Sequence, residues 1–478
     1  MIFTSFEFLC FFLAILIVRS CLRNFAAEKW FLLAASIAFY LSWSVPCIFL
    51  ILFTALADYS IGRRLSRTAD PTSRRRLLVF SLVVNLGLLG FFKYANFFLE
   101  NLTAALNALG WHVSLFHYNI VLPPGISFFT FASLGYVIDV YYERIRACES
   151  PRDYTLFVTF FPKVMSGPIT RGEELLPQFK ERVRATLDDF ELGLTYFMIG
   201  AVKKLAIADQ VAPHVNLIFS APNQYDSLTL LMGAVGYTIQ LYCDFSGYTD
   251  MAIGCGRMMG FRLPENFQMP YSSSSITEFW RRWHITLSNW FRDCLFLPLE
   301  TATRTNPSPI LRVCANMTIT MLLCGLWHGA SWTFVIWGGI HGTALAAHKV
   351  WTKWNPFAAL ESRVAYRFVW TGFSHLLTLG VIVVAFVFFR AQSLSDAVSY
   401  LHRMFAWSHS GTRLISPYIF TAFIAVLLVH LLVNKDRNLA QELPRMSLIP
   451  RIVGYAGLIL LLVAFGATDS AAFIYFQF

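Results

Sequence analysis

The chain alternates between long apolar runs and short polar or basic segments. Apolar runs lie at about residues 1–18, 30–61, 77–92, 122–142, 191–207, 228–243, 313–348, 366–389, 416–433 and 449–467. A helix needs about 20 apolar residues to cross a bilayer. The pattern therefore predicts an all-α, polytopic membrane protein with roughly ten to twelve membrane-spanning helices plus re-entrant segments. These helices are expected to form one integral domain over residues 1–478.

Two of the runs and one shorter apolar segment are expected to be interrupted. Residues 30–61 are too many for one straight span, and Pro46 breaks the run, so a helical hairpin that turns near Trp43 is predicted. Residues 153–168 are apolar but short and contain two prolines, which favours a broken or re-entrant segment over a full crossing. Residues 313–348 are expected to form two helices or one bent helix.

Composition supports the membrane interpretation. The chain is 56% hydrophobic and 14% charged, whereas a soluble domain averages about 25% charged residues. The net charge is +10, but lysine and arginine concentrate in short loops such as residues 19–29 and 63–76, which is the pattern of cytoplasmic loops. Met1 is then expected outside, and the charge gives no support for nucleic-acid binding. The nine cysteines include no CxxC pair, so neither a disulfide framework nor a metal site is expected.

One candidate functional residue lies in an uncharged run. Residues 313–348 contain no Asp, Glu, Lys or Arg, and His328 lies near the middle, preceded by Trp327 and flanked by Gly325 and Gly329. An ionisable residue at membrane depth is costly and by default faces a cavity or a partner. The glycines allow close backbone packing or a break in the helix. From this run alone, a functional histidine and one hydrogen-bonded between packed helices are both open interpretations.

A first polar segment in the middle of the chain reads YCDFSGYTD, residues 242–250. It places Asp244 and Asp250 at the end of an apolar run, together with Ser246. Residues 244–300 as a whole are too polar for simple membrane spans. Taken alone, the nine residues predict a polar turn that caps two helices.

A second polar segment covers residues 271–293. Ser275 and Glu278 have the spacing of a capping box, so a helix is predicted to begin at Ile276. At helical spacing one face of this helix would carry Trp280, His284, Leu287 and Phe291. The pattern is typical of a helix that lies along the membrane interface with its aromatic residues buried.

Two arginines beside this histidine support a second hypothesis, in which the segment binds a phosphate group. Arg281 and Arg282 form a point of positive charge next to His284, which suits a phosphate-bearing cofactor. The alternative is that the helix only anchors the chain and that His284 is a stacked, inert side chain. The residues themselves leave both interpretations open.

The two histidines suit one kind of chemistry if they meet. His284 and His328 are far apart along the chain, and the sequence does not bring them together. A histidine with a near-neutral pKa takes a proton from a hydroxyl and returns one to a leaving group, as thioester-dependent acyl transfer requires. The chain contains no HExxH, GxSxG or GxxxxGK[ST] motif, so metalloprotease, serine hydrolase and P-loop chemistry have no support.

Together these motifs resemble the membrane-bound O-acyltransferase family, in particular its bacterial alginate O-acetyltransferase-like branch. The resemblance covers nearly the full length, and WRRWHITLS together with GLWHGA makes it specific. The motifs that carry it are KYANFF (Lys93–Phe98), LPPGISFFTF (Leu122–Phe131), FPKVMSGPITR (Phe161–Arg171), QLYCDFSGYTDMAIG (Gln240–Gly254), ENFQMPYSSSSITEFWRRWHITLSNWFRD (Glu265–Asp293), LLCGLWHGASWTFVIWGGIHG (Leu322–Gly342) and FIYFQF (Phe473–Phe478).

The resemblance implies a fold and a reaction. The helices would surround a central tunnel through the membrane. His328, in GLWHGA, would be the catalytic histidine, and His284, in WRRWHITLS, would line the cytoplasmic approach. The donor would be an acyl-CoA, most often acetyl-CoA, with no permanently bound cofactor. The acyl group would go to an extracytoplasmic glycan, usually through a second, periplasmic protein.

The resemblance also implies a donor site and a location. Residues assigned to donor binding are Arg281, Arg282, Trp280, Asn289, Asp244 and Ser246. The protein would lie among the lipids of the bacterial inner membrane as a multi-pass enzyme. The acceptor glycan stays open among alginate, another exopolysaccharide, peptidoglycan and a lipopolysaccharide sugar.

One departure from the family pattern concerns the loop after the His284 helix. The branch has LGGNR there, whereas Cys294–Arg304 reads CLFLPLETATR, with Glu300 in place of a flexible turn. This departure concerns the acceptor or partner contact more than the chemistry. A transporter or lipid flippase would also suit broken helices, and a non-catalytic assembly subunit is a third alternative. The chain lacks the internal repeats of a transporter and retains both histidines.

Overall fold

The computed structural model describes residues 1–302, 309–357, 364–433, 435–467 and 473–474. Within these ranges the chain forms α-helices joined by short 3₁₀ and π turns. The β pairing found in the described part is an isolated bridge between Tyr225 and Thr412. The all-α prediction is confirmed.

The chain packs into two compact units. One comprises Met1–Phe197 and Met251–Pro264, and the other comprises Met198–Asp250 and Glu265–Phe478. The assignment of residues 1–478 to a single domain stays a prediction.

The first unit confirms the predicted hairpin and the short segment. Its helices are α1 (Phe6–Cys21), α2 (Phe25–Leu41), α3 (Val45–Leu65), α4 (Pro71–Leu89), α5 (Ala95–Ala108), α6 (Ile126–Tyr141), α7 (Pro151–Thr159), α8 (Gly172–Leu175) and the start of α9 (Leu187–Ala201). The hairpin turns between α2 and α3, and Pro46 lies in the first turn of α3, where a proline is tolerated. Helix α7 has only 9 residues and is followed by turns, so residues 153–168 form no full-length span.

A buried carboxylate in the first unit is satisfied by neighbouring polar groups. Asp58 of α3 is fully buried. It accepts hydrogen bonds from Ser81 Oγ (2.6 Å) and Asn85 Nδ2 (2.8 Å) of α4. Because lipid supplies no hydrogen-bond partners, such internal pairing is what allows an acidic residue within an apolar run.

The second unit contains the segments with candidate chemistry. Its helices are α10 (Asp209–Ser220), most of α11 (Ser227–Met258), α12 (Ile276–Arg282), α13 (Ile285–Phe291), α14 (Leu297–Thr301), α15 (Ile310–His328), α16 (Trp332–Trp354), α17 (Val364–Arg390), α18 (Leu394–Phe405), α19 (Pro417–Leu432), α20 (Leu439–Glu442) and α21 (Leu448–Phe465).

The predicted polar turn at residues 242–250 is wrong, because α11 continues through it without interruption. Its carboxylates are paired with lysines of the π-helical turn Val202–Ala208. Lys204 Nζ lies 2.6 Å from Asp244 Oδ1, and Lys203 Nζ lies 2.6 Å from Asp250 Oδ2. These ion pairs neutralise the two acidic side chains, so the helix does not need to end there.

The single helix predicted from Ile276 is also wrong. The helix begins there, with Ser275 Oγ accepting a hydrogen bond from the Glu278 amide at 3.1 Å, but it ends at Arg282. His284 has left-handed backbone angles (φ 41°, ψ 55°) and separates α12 from α13. The common face predicted for Trp280, His284, Leu287 and Phe291 therefore does not form.

A neighbouring segment accounts for this break. The backbone amide of Ile285 donates to Asn266 O, and the amide of Gln268 donates to Arg282 O, each at 2.9 Å. These hydrogen bonds replace the helical ones on both sides of His284. Asn266 and Gln268 lie outside both helices, so helical spacing alone does not reveal this pairing.

The run of residues 313–348 forms two antiparallel helices, α15 and α16. Of the two predicted alternatives, two helices are confirmed and one bent helix is not. The chain turns between His328 and Trp332. The helices approach so closely that a Cβ on Gly325 would overlap Phe334 O, and a Cβ on Gly338 would overlap Met321 O. Small residues that allow close backbone approach are typical of helix pairs in membranes.

Several helices have the length and composition of membrane spans. The described residues contain five such segments, Val45–Leu65, Pro71–Ala108, Ile310–His328, Tyr366–Arg390 and Leu448–Phe465, and two shorter apolar helices, Ile126–Tyr141 and Pro417–His430. The chain is therefore described as a multi-pass membrane protein. The number of ten to twelve crossings, the sidedness of the loops and the central tunnel stay predictions.

Because α15 and α16 approach closely, alanine substitutions at the adjacent residues Gly338 and Gly339 should affect stability differently. Gly338→Ala should lower the melting temperature, because overpacking costs about 1–3 kcal/mol. Gly339→Ala is the matched control: the nearest atom to its added Cβ is Leu322 Cδ2 at 3.5 Å, an ordinary contact. Alanine favours a helix over glycine by about 1 kcal/mol, so this variant should be neutral or slightly more stable. Thermal denaturation in detergent, followed by size-exclusion chromatography, measures both. Equal melting temperatures would contradict the packing.

Candidate active site

His328 is enclosed by aromatic rings from three helices. It is the last residue of α15 and is 3% exposed. Its ring lies edge-to-face with Trp327 at 4.9 Å, with Trp337 of α16 at 4.8 Å and with Phe389 of α17 at 5.1 Å between ring centroids. The histidine found from the uncharged run therefore lies in a narrow, apolar enclosure. Such surroundings exclude bulk water from the imidazole.

His284 is held in one tautomer. Its Nδ1 lies 3.0 Å from Asn266 Oδ1, and the same oxygen accepts from the Thr286 amide (3.3 Å) and the Thr286 hydroxyl (2.9 Å). A backbone amide can only donate, so the atom that it meets is the carbonyl oxygen of Asn266. His284 Nδ1 therefore donates as well. In the neutral ring the lone pair is then on Nε2.

The structure brings both histidines into contact with one indole ring. Trp327 lies 6.0 Å from His284 and 4.9 Å from His328, measured between ring centroids. Both imidazoles are buried. The sequence left their relation open because the two motifs come from separate helices. The break before α13 turns His284 toward Trp327.

A third histidine, which the sequence analysis did not assign to the site, is part of this cluster. Trp280 Nε1 donates to His341 Nδ1 at 3.3 Å. His341 is fully buried on α16, and its ring lies 4.8 Å from Trp337, which also contacts His328. Trp337 and His341 are one helical turn apart, which is the spacing that places them on one face. That spacing was the signal available in the sequence.

Arg282 is engaged by the protein itself. It is largely buried and pairs with Glu278 at 3.2 Å and with Asp436 at 2.7 Å. It also donates to the backbone oxygens of Lys435 (2.6 Å) and Gln268 (3.3 Å). These contacts join α12 to the segment after α19. The assignment of Arg282 to donor binding stays a prediction, and its contacts give it a structural role.

Arg281 has a different environment. It is exposed, and within the described part of the chain no carboxylate forms an ion pair with it. It lines a cavity of about 410 Å³ formed by Gln268, Ser275, Thr277, Glu278, Arg281, Arg282 and His348. A polar cavity with an uncompensated guanidinium suits an anionic group such as a phosphate.

The charges in this cavity leave a positive excess. Burial works to raise the pKa of Glu278, but the hydrogen bond and charge of Lys435 outweigh it and hold the pKa at about 2. Glu278 is therefore ionised, and its Oε1 lies 2.6 Å from Lys435 Nζ. Glu278 and Asp436 are balanced by Lys435 and Arg282. The remaining charge is that of Arg281.

A larger apolar cavity adjoins the polar one. It has a volume of about 710 Å³ and shares Ser275 and His348 with the polar cavity. Its walls include Trp351 of α16 and Trp370 of α17, whose rings stack at 5.3 Å. Together the two cavities offer charged and aromatic surfaces at the same end of α16.

The other residues assigned to donor binding lie in different surroundings. Asp244 is buried, pairs with Lys204 and accepts from the amide of Ile474 at 2.9 Å. Ser246 is fully buried on α11, and Asn289 is exposed on α13. The neighbour of Asp244, Phe245, packs against His284 at 4.7 Å. A role for these three residues in donor binding stays a prediction.

Most of the segment that departs from the family pattern, through residue 302, lies within the described residues. Glu300 lies in the short helix α14, and its Oε1 accepts from Asn316 Nδ2 at 2.6 Å. Arg312 donates to the backbone oxygen of Glu300 at 3.0 Å. The glutamate thus fixes α14 to α15 where a flexible turn was expected. Arg304 lies outside the described residues.

Comparisons with known proteins identify a family and several relatives of this chain. The family described as MBOAT, membrane-bound O-acyltransferase, matches residues 142–389, which include both histidines. A probable alginate O-acetylase of Azotobacter vinelandii is 40% identical over 438 residues, covering 90% of this chain and 84% of its own. The peptidoglycan O-acetyltransferase of Helicobacter pylori is 35% identical over 419 residues, covering 82% and 76%.

A more distant relative is named for the transfer of a different acyl group, D-alanyl. The teichoic acid D-alanyltransferase of Bacillus subtilis is 27% identical over 278 residues, covering 57% of this chain and 67% of its own. The family match covers more than half of the chain, and the first two relatives cover most of it. These findings favour an enzyme over a transporter. The chain is a multi-pass acyltransferase that belongs to the membrane-bound O-acyltransferase family.

Proposed function

We propose that the protein is an enzyme of the bacterial inner membrane that transfers an acetyl group from cytoplasmic acetyl-CoA to an acceptor hydroxyl. The acetyl group ends on an extracytoplasmic glycan. The observation that carries the proposal is the enclosure of His328 beside Trp327 and His284, with a cationic cavity at the far end of α16. Named relatives act on alginate and on peptidoglycan. Alginate or a similar envelope polysaccharide is the acceptor that we infer, reached through a periplasmic partner protein.

The donor would lie along α16. Its phosphates would bind in the polar cavity beside Arg281, and its thioester would reach the aromatic enclosure. His348 lies about 16 Å along α16 from Trp337, at 1.5 Å of rise per residue. An elongated thioester donor, with charged phosphates at one end and the acyl group at the other, matches this separation. His284 would line the path between the two ends.

The reaction needs a base and a dry site. His328 would take the proton of the acceptor hydroxyl as its oxygen attacks the thioester carbonyl carbon. The C–S bond then breaks, the acyl group stays on the acceptor oxygen, and the proton passes from His328 to the CoA thiolate. The aromatic rings would keep water from hydrolysing the thioester. His284, with its lone pair on Nε2, would be a hydrogen-bond acceptor in the donor path.

His328→Ala should insert and fold normally but lose acyl transfer, because general-base help contributes about 10²- to 10⁴-fold. Proteoliposomes that contain the enzyme, its periplasmic partner and unacetylated alginate, supplied with radiolabelled acetyl-CoA, measure the transfer. His402→Ala, which removes an exposed histidine on α18, is the matched control and should retain wild-type activity.

His284→Ala should retain part of the activity if this residue only shapes the donor path. Its KM for acetyl-CoA should rise more than its kcat falls. Near wild-type transfer by a well-folded His328→Ala protein would remove His328 from the mechanism and support a purely structural histidine.

The two arginines of α12 should respond differently. Arg281→Gln should raise the KM for acetyl-CoA about 3- to 10-fold, which is about 0.7–1.4 kcal/mol, since an exposed charge contact is partly screened. Acetyl-pantetheine, which lacks the nucleotide phosphates, is the control donor, and its KM should not change. Arg282→Gln should mainly lower thermal stability, because it leaves Glu278 and Asp436 without their buried partner. An unchanged KM for acetyl-CoA in the Arg281 variant would exclude its role at the phosphates.

A further inference from the structure

Two buried N–H groups beside His328 take no part in the proposed proton transfer. They belong to His341 and Trp337, which lie one helical turn apart on α16 and are 0% and 1% exposed. Among the described residues, neither His341 Nε2 nor Trp337 Nε1 meets a hydrogen-bond acceptor. A buried donor without an acceptor lowers stability. Two such donors side by side therefore point to an acceptor that the substrate supplies.

A hydrogen bond from Trp280 determines which nitrogen of His341 carries the proton. An indole nitrogen can only donate, and Trp280 Nε1 lies 3.3 Å from His341 Nδ1. Nδ1 is therefore the acceptor, and the ring carries its hydrogen on Nε2. The ring of Phe279 lies parallel to that of His341 at 6.1 Å, and Trp337 packs on it at 4.8 Å, measured between ring centroids. These contacts hold His341 in place as an Nε2–H donor.

The two donors lie close to the base of the proposed reaction. The ring centroids of His328 and His341 are each 4.8 Å from that of Trp337, so the two imidazole centroids are no more than about 9.6 Å apart. In acyl transfer, only the attacking oxygen and the carbonyl group lie between the base and a donor to the carbonyl oxygen. Two hydrogen bonds and these few covalent bonds span a distance of this size.

The proposed reaction needs such donors because negative charge develops on the thioester oxygen. When the acceptor oxygen attacks the carbonyl carbon, the π pair of the C=O bond moves to the carbonyl oxygen and a tetrahedral oxyanion forms. Its collapse restores the C=O bond and breaks the C–S bond, and the released thiolate takes the proton held by His328. N–H groups that donate to the oxyanion lower the barrier and keep their hydrogens, and the effect is largest where water is excluded.

We propose that His341 Nε2–H and Trp337 Nε1–H form the oxyanion hole for the thioester carbonyl. The inference rests on the proposed function and adds two catalytic residues to it. A neutral imidazole and an indole stabilise the oxyanion without the cost of burying a cation. Trp280 is then a positioning residue, because it acts through His341.

Two substitutions of His341 distinguish a hydrogen-bond donor from a packing residue. Glutamine has an amide N–H and an amide oxygen, so His341→Gln keeps a donor and an acceptor for Trp280. Phenylalanine keeps a flat ring but has neither group. His341→Phe should lower kcat about 10²- to 10³-fold with little change in the KM for acetyl-CoA, whereas His341→Gln should retain about a tenth of the wild-type kcat or more. A packing role alone predicts the opposite order.

Trp337→Phe tests the second donor in the same proteoliposome assay with radiolabelled acetyl-CoA. It keeps an aromatic ring against His328 but removes the indole N–H, so kcat should fall about 10²-fold while the KM stays unchanged. Trp332→Phe is the matched control. It removes the indole N–H of a tryptophan on the same helix that is 51% exposed, and it should keep the wild-type kcat.

Binding of S-ethyl-CoA, a thioether without a carbonyl group, reports the fold and the donor site of each variant. All variants should bind it like the wild type, and if His341→Phe does not, Trp337→Phe decides the question. The oxyanion hole is wrong, and the donor proposal stands, if the phenylalanine variants bind the thioether and transfer acetyl groups at the wild-type rate. The same conclusion follows if His341→Gln loses as much activity as His341→Phe. A wild type that neither binds the thioether nor transfers the acetyl group would contradict the proposed function and this inference with it.

Discussion

The arrangement of the site depends on the direct backbone contact between α15 and α16. This contact is possible because Gly325 and Gly338 have no side chains where the helices meet. The same pair of helices is joined by the turn that places His328 at the end of α15 and Trp337 one helical turn into α16. A membrane offers little hydrophobic driving force between helices, so close packing of small residues contributes much of the association. Widening this contact would open the enclosure of His328.

The two ends of the antiparallel pair α16 and α17 differ in chemistry. One end carries the cavity with Arg281 and the aromatic cavity next to it, and the other carries the aromatic rings of Trp337 and Phe389 that pack on His328. A transfer reaction that uses a donor from one side of a membrane and an acceptor from the other needs such an arrangement. In the proposed reaction, the low polarity between the two ends would keep water from the thioester. The enclosure thus serves both the fold and the chemistry.

The sequence predicts the parts of this structure that depend on local patterns. The all-α membrane fold, the hairpin at Pro46 and the start of α12 each follow from hydrophobic runs or capping residues. The lone ionisable group in an uncharged run pointed to His328, which the structure places in an aromatic enclosure. The break at His284 could not be predicted, because it depends on backbone hydrogen bonds to a segment around Asn266, outside both helices, that no helical spacing encodes. The same holds for Asp244, whose partner Lys204 lies on another element. His341 was missed because its neighbour Trp280 comes from another motif.

The central claim is that the donor lies along α16 with its phosphates at Arg281 and its acyl group at His328. A cryo-electron microscopy structure of the enzyme with a non-hydrolysable thioether analogue of acetyl-CoA tests it most directly. The account predicts density for the phosphates beside Arg281 and for the thioether within hydrogen-bonding reach of the His328 ring. Phosphate density away from Arg281, or a thioether that does not reach the enclosure formed by Trp327, Trp337 and Phe389, would contradict it.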